Sequence, residues 1–239
     1  MLGQLSAIEE YNNAGALMGT EMMESEELNA AIKAMPMVQR AKTMQKLVGN
    51  PFPSKGSRAE MEKHFPELQK HIKDGLGKGE LRLADTVIYS IKAASSKTIK
   101  MFETQDDKEI GLRNISNAKL PKNQSMLVSG IILLAGVSAD ATKDKIIATN
   151  YDKIELFPAI ANGEFSLKAN KKQIVPDTSN NLFKTSNLNL VPMGYYKLSN
   201  PRLIQDDVLI ELTIELGTMD GIAANTYIFA GLHGTITTP

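Results

Sequence analysis

The chain has 239 residues, of which 42% are apolar, so it is long enough to bury a sizeable core and is not a disordered polypeptide. Its 27 basic and 27 acidic side chains give a formal net charge of zero, which disfavours a strongly basic nucleic-acid binder. With no cysteine and three histidines, the sequence excludes disulfides and thiolate chemistry and offers few metal ligands. We therefore expect no cofactor, no metal, no specific nucleic acid and no small-molecule substrate.

The first ten residues lack the basic start and apolar stretch of a secretory signal peptide, so export by that route is not expected. The longest apolar stretch, residues 126–139, is interrupted by Ser129, Gly130 and Ser138. It is also shorter than the roughly 20 residues that a membrane-spanning helix needs. These two features predict a soluble protein.

The first 79 residues have helical composition and spacing. Ser6 followed by Glu9, and Ser57 followed by Glu60, have the spacing of capping boxes. Apolar residues then recur at steps of three and four in two segments, which predicts amphipathic helices. The two sets are Met37, Ala41, Met44 and Val48, and Met61, Phe65, Leu68 and Ile72, with Pro66 expected to kink or divide the second helix. We interpret both stripes as core-facing, with a membrane-binding or partner-binding face as the alternative.

A glycine-rich segment, residues 74–79, follows these helices. Gly75, Gly77 and Gly79 favour a turn over a helix, and they predict a hinge between two parts of the chain. A phosphate-binding loop would follow a strand and open a helix, whereas here the predicted order is helix, glycines, strand. We therefore interpret the segment as a linker.

Beyond residue 80 the apolar period changes from about four to two, which is typical of strands. In the first strand, Leu81, Leu83, Val87, Tyr89 and Ile91 form an apolar face on which Asp85 is the one polar residue. The clearest strand is 208–216, whose alternation predicts one buried face and one mostly wet face. The other candidate strands are residues 98–103, 125–137, 145–149, 153–159, 164–169, 172–175, 190–198 and 226–237.

These short, closely spaced strands predict a mainly β fold, because no helical pattern lies between them to connect parallel strands. The expected architecture is an antiparallel sandwich or barrel of residues 80–239, preceded by an N-terminal α-helical arm of residues 1–79. On this division, a chain without residues 1–79 is expected to fold but not to assemble.

The candidate chemical groups are few, and we expect no catalytic, cofactor-binding or metal-binding residues. The sequence has neither a Gly-x-Ser-x-Gly nor a His-Glu-x-x-His motif. His64 and His71 lie about two helical turns apart, too far for one metal, and are interpreted as solvated. His233 is interpreted as a residue at a barrel end. A site assembled only in the folded protein stays open.

Three acidic groups have ordinary interpretations beside functional ones. Asp106, Asp107 and Glu109 lack the pattern of a calcium loop and are interpreted as a solvated turn. The adjacent carboxylates of residues 206 and 207 either converge on one site or belong to a turn. Glu211 and Glu215 lie about 13 Å apart along one strand face, which is too far for a close catalytic pair.

Residues 118–134 and 200–216 each have a polar lead-in followed by a long strand, and residues 225–239 have the layout of a closing strand. In these three stretches the chain resembles jelly-roll capsid proteins of icosahedral, tectivirus-like bacteriophages that enclose a membrane. The resemblance covers residues 80–239 and implies an eight-stranded jelly roll that packs in trimers or pentamers, with a helical arm reaching neighbours or the membrane. It implies no catalytic residues. Major capsid proteins of that lineage have two barrels per chain, whereas this length accommodates one comfortably. Either the chain holds two very compact barrels, or it is a single-barrel capsid or vertex protein.

The leading hypothesis is therefore a structural capsid subunit, not an enzyme, that acts by self-assembly. Its expected partners are copies of itself and other capsid proteins, and its expected location is the virion after synthesis in the host cytoplasm. The first alternative is a fibre, adhesion or other ligand-binding module, which would carry an exposed cluster at one barrel end around Tyr195, Tyr196 and His233. The second is a hydrolase whose site forms only in the fold, which needs a pocket of convergent polar groups.

Overall fold

The structure, a computed structural model, describes residues 57–185 and 192–239, and these residues belong to one compact unit. The helices predicted after Ser6 and from Met37 to Val48 lie outside the described residues. The described helices are α1 (Ser57–Lys63), α2 (Lys70–Lys78), α3 (Lys143–Ile147) and α4 (Pro158–Ala161), with 3-10 turns at Phe65–Glu67, Ile154–Leu156 and Asn180–Phe183. The described strands are β1 (Arg82–Ala93), β2 (Thr98–Lys100), β3 (Met126–Val137), β4 (Asp152–Lys153), β5 (Glu164–Ala169), β6 (Lys172–Ser179), β7 (Tyr195–Ile204), β8 (Ile210–Glu215) and β9 (Thr226–Thr238).

The strands form two antiparallel sheets. In the first sheet, β9 lies between β1 and β3, and the other edge of β3 pairs with β7 along its first half and with β4 near its end. The strand order of the second sheet is β2-β8-β5-β6. The predicted mainly β, antiparallel class is therefore confirmed.

The main core lies between the inner faces of the two sheets. Its second-sheet side includes Phe165, Leu167, Leu212 and Ile214, all at most 2% exposed. The alternation predicted for residues 208–216 is confirmed, because Ile210, Leu212, Ile214 and Leu216 are buried whereas Glu215 is exposed. This sheet thus has one dry face and one solvated face.

Strand β1 has buried residues on both faces, unlike the prediction of a single apolar face. The inner face presents Ile88 to the inter-sheet core, together with Ser90. The expected apolar face instead lies on the outside of the first sheet, where Leu83 packs under the helices and Ile91 packs beside Leu112. The period of two was read correctly, but tertiary packing decides which face is the core.

Helices α1 and α2 cover one end of the outer face of the first sheet. Met61, Leu68 and Ile72 are at most 3% exposed and pack with Leu81 and Leu127. The core-facing interpretation of this stripe is confirmed, and Pro66 lies in the 3-10 turn that divides the helix as predicted. These contacts join residues 61–81 to the sheet, while the division of the whole chain at residue 79 stays a prediction.

The predicted break at Gly75 and Gly77 is wrong. Helix α2 runs through both glycines and is capped by Gly79, whose φ of 79° lies in the left-handed region. The backbone N–H of Glu80 donates to the carbonyl of Gly75 at 2.9 Å and closes the end of the helix. Packing favours glycine at position 75, since a Cβ there would lie 2.8 Å from the Leu81 side chain, which would have to shift. Two internal glycines weaken a helix by roughly 1 kcal/mol each, so burial of its apolar stripe must offset their cost.

Two predicted strands are also wrong. Residues 145–149 fall mostly in α3, where Ile146 is buried and Ile147 is exposed. Residues 153–159 contain the end of β4, a 3-10 turn and the start of α4, which Pro158 opens. Short apolar runs of four to seven residues fit either element, and only their packing distinguishes them.

Tyr151 lies in a second outer cluster, formed by Ile91, Leu112, Ile146 and Tyr227. Its hydroxyl donates to the carbonyl of Ile146 at 3.1 Å. Burial, and secondarily the neighbouring Tyr227, raises the pKa of Tyr151 to about 12.

We therefore expect a late step in an alkaline absorbance titration, which the Tyr151→Phe variant lacks. In the unfolded chain the phenol ionises near pH 10, so the unfolded state loses its proton first. Stability should fall as the pH rises from about 10 to about 12. A difference titration between the two proteins with a midpoint near pH 10 would contradict this assignment.

Candidate functional site

The aromatic residues considered for a ligand-binding site are separated by the fold. Tyr195 lies on the outer face of β7, and Tyr196 points into the core, where its ring centroid lies 6.3 Å from that of Phe165 and 6.0 Å from that of Phe183. His233 lies on the outer face within β9, not at a barrel end as predicted. The expected cluster on the loops at one barrel end is therefore not formed by these three residues.

Tyr195 and His233 instead meet in the middle of the first sheet, with ring centroids 5.5 Å apart and planes at 90°. The Tyr195 ring lies over Gly130, where a Cβ would come within 2.3 Å of the phenol oxygen. Burial, followed by the charge of Glu60, raises the pKa of Tyr195 above its usual value. A hydrogen bond with Ser129 acts in the opposite direction on this pKa but is the smallest of the three effects.

Ser129 completes this group at the point where β3 shifts register between Val128 and Gly130. Its Oγ lies 3.4 Å from His233 Nδ1 and donates to the His233 carbonyl at 3.3 Å. Ser129 is only 3% exposed, so a substrate has little access to its Oγ. The group is better suited to fixing the strand bulge than to catalysis.

His71 makes a long-range contact that the sequence did not reveal. Its Nε2 lies 2.9 Å from Oδ2 of Asp206, a carboxylate that also accepts from the backbone N–H of Asn123 at 3.0 Å. His71 borders a surface cavity of about 460 Å³, which is also lined by Lys78 and Glu80. The described residues that line this cavity include no serine or threonine, so it holds no hydroxyl nucleophile of the Ser–His type beside the imidazole.

The other candidates have separate partners. Asp207 turns away from Asp206 at a φ of 52° and pairs with Lys119 at 3.1 Å. His64 lies 2.9 Å from Glu67, in a turn between two helices and not on the same helix as His71. The side chains of Asp206 and Asp207 therefore do not converge on one site, and neither do those of His64 and His71.

Asp106 belongs to an ion cluster, so the solvated-turn prediction is wrong for this residue. It lies 2.7 Å from Lys92 and 3.1 Å from Arg113, and Lys92 also contacts Glu103 at 2.6 Å. Each of these four side chains is less than a third exposed. Their alternating charges favour a fixed β2–β3 connection over ligand binding.

Sequence reasoning missed a set of exposed apolar side chains. Among the described residues, the large apolar side chains classed as exposed are Ile110 (88%), Leu156 (64%), Val137 (50%), Ile147 (44%) and Leu182 (44%). Leu156 and Leu182 lie in the β4–β5 and β6–β7 connections. Val137 ends β3, Ile147 lies in α3 shortly after it, and Ile110 precedes Gly111, which Ile147 contacts, so these three lie at the end of the sandwich where β1 and β3 finish and β9 begins. We call this the apolar end. A signal was present, since Ile110 stands in a charged loop sequence where no buried strand was expected.

The opposite end of the sandwich is polar. It carries the β5–β6 turn at Asn170 and Lys171 and the β7–β8 turn at Asp206 and Asp207. Exposed apolar patches mark interaction surfaces more often than scattered single side chains do. The distribution therefore places the candidate functional surface at the apolar end.

No protein-family model matches the chain, and no curated protein shows significant sequence similarity to it. Within residues 57–185 and 192–239, no three acidic or histidine side chains come together in a way that could hold a metal ion. None of the helices in this part of the chain is both long and apolar enough to cross a membrane.

Proposed function

We propose that the two sheets form one jelly roll. Strands from the first half of the chain pair with strands from the second half in reverse order: β1 with β9, β2 with β8, β3 with β7 and β5 with β6. The pairs β9–β3 and β8–β5 then join these four antiparallel pairs into two sheets. A long hairpin wound in this way, with eight strands in two sheets, has the jelly-roll arrangement.

On this proposal the chain is a structural subunit of an icosahedral phage capsid and acts by self-assembly. The observation that carries the proposal is the reversed pairing order, which matches the fold implied by the resemblance to phage capsid proteins. One barrel per chain favours a single-barrel capsid or vertex role. The proposed partners are copies of the same chain in trimers or pentamers, other capsid proteins, and an internal membrane reached by the N-terminal arm.

The edges of the two sheets carry features that block pairing with a further strand, and this supports a closed assembly. On the free edge of β1, the Asn114 amide accepts from Tyr89 N at 2.8 Å and donates to Val87 O at 2.7 Å, in place of another strand. Pro176 interrupts the edge strand β6, Pro201 lies between the paired segments of β7, and β2 has three residues. Such features oppose strand addition, so copies would meet through side-chain surfaces.

The adhesion alternative has less support, because Tyr195 and Tyr196 lie on opposite faces of the first sheet. The hydrolase alternative has a cavity with an imidazole and a carboxylate, but its described lining residues include no serine or threonine. Self-assembly needs neither a nucleophile nor an aromatic binding platform.

The test is the mass and shape of the purified full chain. We expect trimers, pentamers or shells in size-exclusion chromatography with light scattering, followed by negative-stain imaging. A monomer at every concentration, including in the presence of lipid vesicles, would contradict the proposal. A glycan and ligand screen would then be the appropriate next experiment.

A further inference from the structure

The most exposed apolar side chain in the described part of the chain, Ile110, has an apolar neighbour from a different segment. The Ile147 side chain lies against Gly111, since a Cβ on that glycine would be 3.0 Å from Ile147 Cγ1 and Cγ2. Ile110 precedes this glycine, so the two exposed isoleucines come from the two segments that meet at Gly111. We call Ile110 and Ile147 the isoleucine pair.

The segments that carry the isoleucine pair have opposite charge. Exposed or half-exposed Asp107, Lys108 and Glu109 give the loop one net negative charge, and exposed Lys143, Asp144 and Lys145 give α3 one net positive charge. Glu109 and Lys143 already attract each other within the chain, at 2.6 Å. An apolar centre with an acidic side and a basic side is complementary to a rotated copy of itself.

We propose that a second copy of this chain binds the isoleucine pair through a two-fold contact, which names a partner surface for the proposed capsid subunit and rests on that proposed function. The rotation places the acidic loop of one copy against α3 of the other. Glu109 of each copy then pairs with the lysine at position 143 of the other copy, which gives two symmetry-related ion pairs. The isoleucine pairs of the two copies form the dry centre, and the charged side chains form the rim. The zero net charge of the chain leaves no overall repulsion to oppose this contact.

Ile110 is well suited to a test because its side chain is 88% exposed and contributes little to folding. We expect Ile110→Ser to weaken self-association of the full chain by about tenfold or more, with an unchanged melting temperature. The matched control is Leu156→Ser, which removes another exposed apolar side chain, 64% exposed, from a different connection and should leave association unchanged. Association that is equal in wild type and Ile110→Ser would overturn the contact.

A charge exchange tests the two-fold geometry itself. Glu109→Lys alone and Lys143→Glu alone each place like charges across the contact, so each should associate about tenfold more weakly than wild type. An equimolar mixture of the two variants restores both opposite-charge pairs between unlike copies and should recover association, measured by light scattering. A mixture that associates no better than the separate variants would overturn the proposed arrangement.

The outcomes separate this contact from the proposed function. Trimers, pentamers or shells that are insensitive to Ile110→Ser would overturn the contact and leave the capsid proposal standing. A dimer that depends on Ile110 but never forms larger assemblies would support the contact and contradict the capsid proposal. A full chain that stays monomeric at all concentrations would overturn both.

Discussion

Removal of residues 1–79 is expected to destabilise the β-sandwich and expose apolar surface, whereas a chain that begins at residue 57 is expected to unfold cooperatively. The longer deletion removes the buried Met61, Leu68 and Ile72 and leaves Leu127, which is fully buried, open to solvent. Burial of each such side chain contributes about 1.5–3 kcal/mol. Three of them are a large fraction of the ~5–15 kcal/mol that holds a typical domain folded, even after the entropy of ordering the helices is considered.

Thermal unfolding by circular dichroism and binding of a hydrophobic dye measure this difference. The shorter chain, residues 57–239, is the reference because it contains every described element. Met61→Ala in the full chain is the matched control, and it should lose about 2–5 kcal/mol through the same contacts without any truncation. Equal melting temperatures for the two truncated chains would show that α1 and α2 do not support the sheet. The sequence-based expectation of a stable barrel from residue 80 onward would then be correct.

The sequence did not reveal that α1 and α2 support the first sheet, because an outer sheet face that is covered by helices leaves no distinct pattern in the sequence of the strand. Strand β8 was predictable, since its outer face meets water and the alternation of Ile210, Leu212 and Ile214 with polar residues is unbroken. The core face of strand β1 was not predictable, because the residues on its outer face are also apolar, where they pack against α1, α2 and the β2–β3 connection. Alternation identifies a strand, but it identifies the core face only where the opposite face is solvated.

The residues of the candidate surface were equally difficult to predict from the sequence. His71 and Asp206 are 135 residues apart, so no spacing rule could bring them together. The isoleucine pair joins two connections, one of which was predicted as a strand; Ile147 therefore counted as a strand residue and not as an exposed side chain. Only Ile110, isolated among charged residues, could have been noticed from the sequence alone.

Gly234→Ala is expected to be the most damaging small substitution in the central strands. Gly234 lies on β9 between its partners Thr86 on β1 and Val128 on β3. A Cβ at this position would lie 1.8 Å from the carbonyl oxygen of Leu127 and 3.2 Å from the Cα of Val128. These are backbone atoms, so no side chain can turn aside, and β3 and β9 would have to separate where the register of β3 already shifts.

We expect Gly234→Ala to lower the free energy of unfolding by about 3 kcal/mol, at the upper end of the range for overpacked cores. The loss is large because the strain falls on β9, whose pairings with β1 and β3 are the two longest in the structure. The matched control is Gly77→Ala, the same chemical change in α2, where a Cβ would meet nothing within 4 Å. That variant should gain about 0.5–1 kcal/mol, because alanine is the better helix former and loses less backbone entropy on folding. Urea denaturation of both variants measures the two shifts against wild type, with the midpoint falling for Gly234→Ala and rising for Gly77→Ala. A small or absent loss for Gly234→Ala would mean that β3 and β9 do not approach as closely as described, and the pairing order on which the capsid proposal rests would lose its central contact.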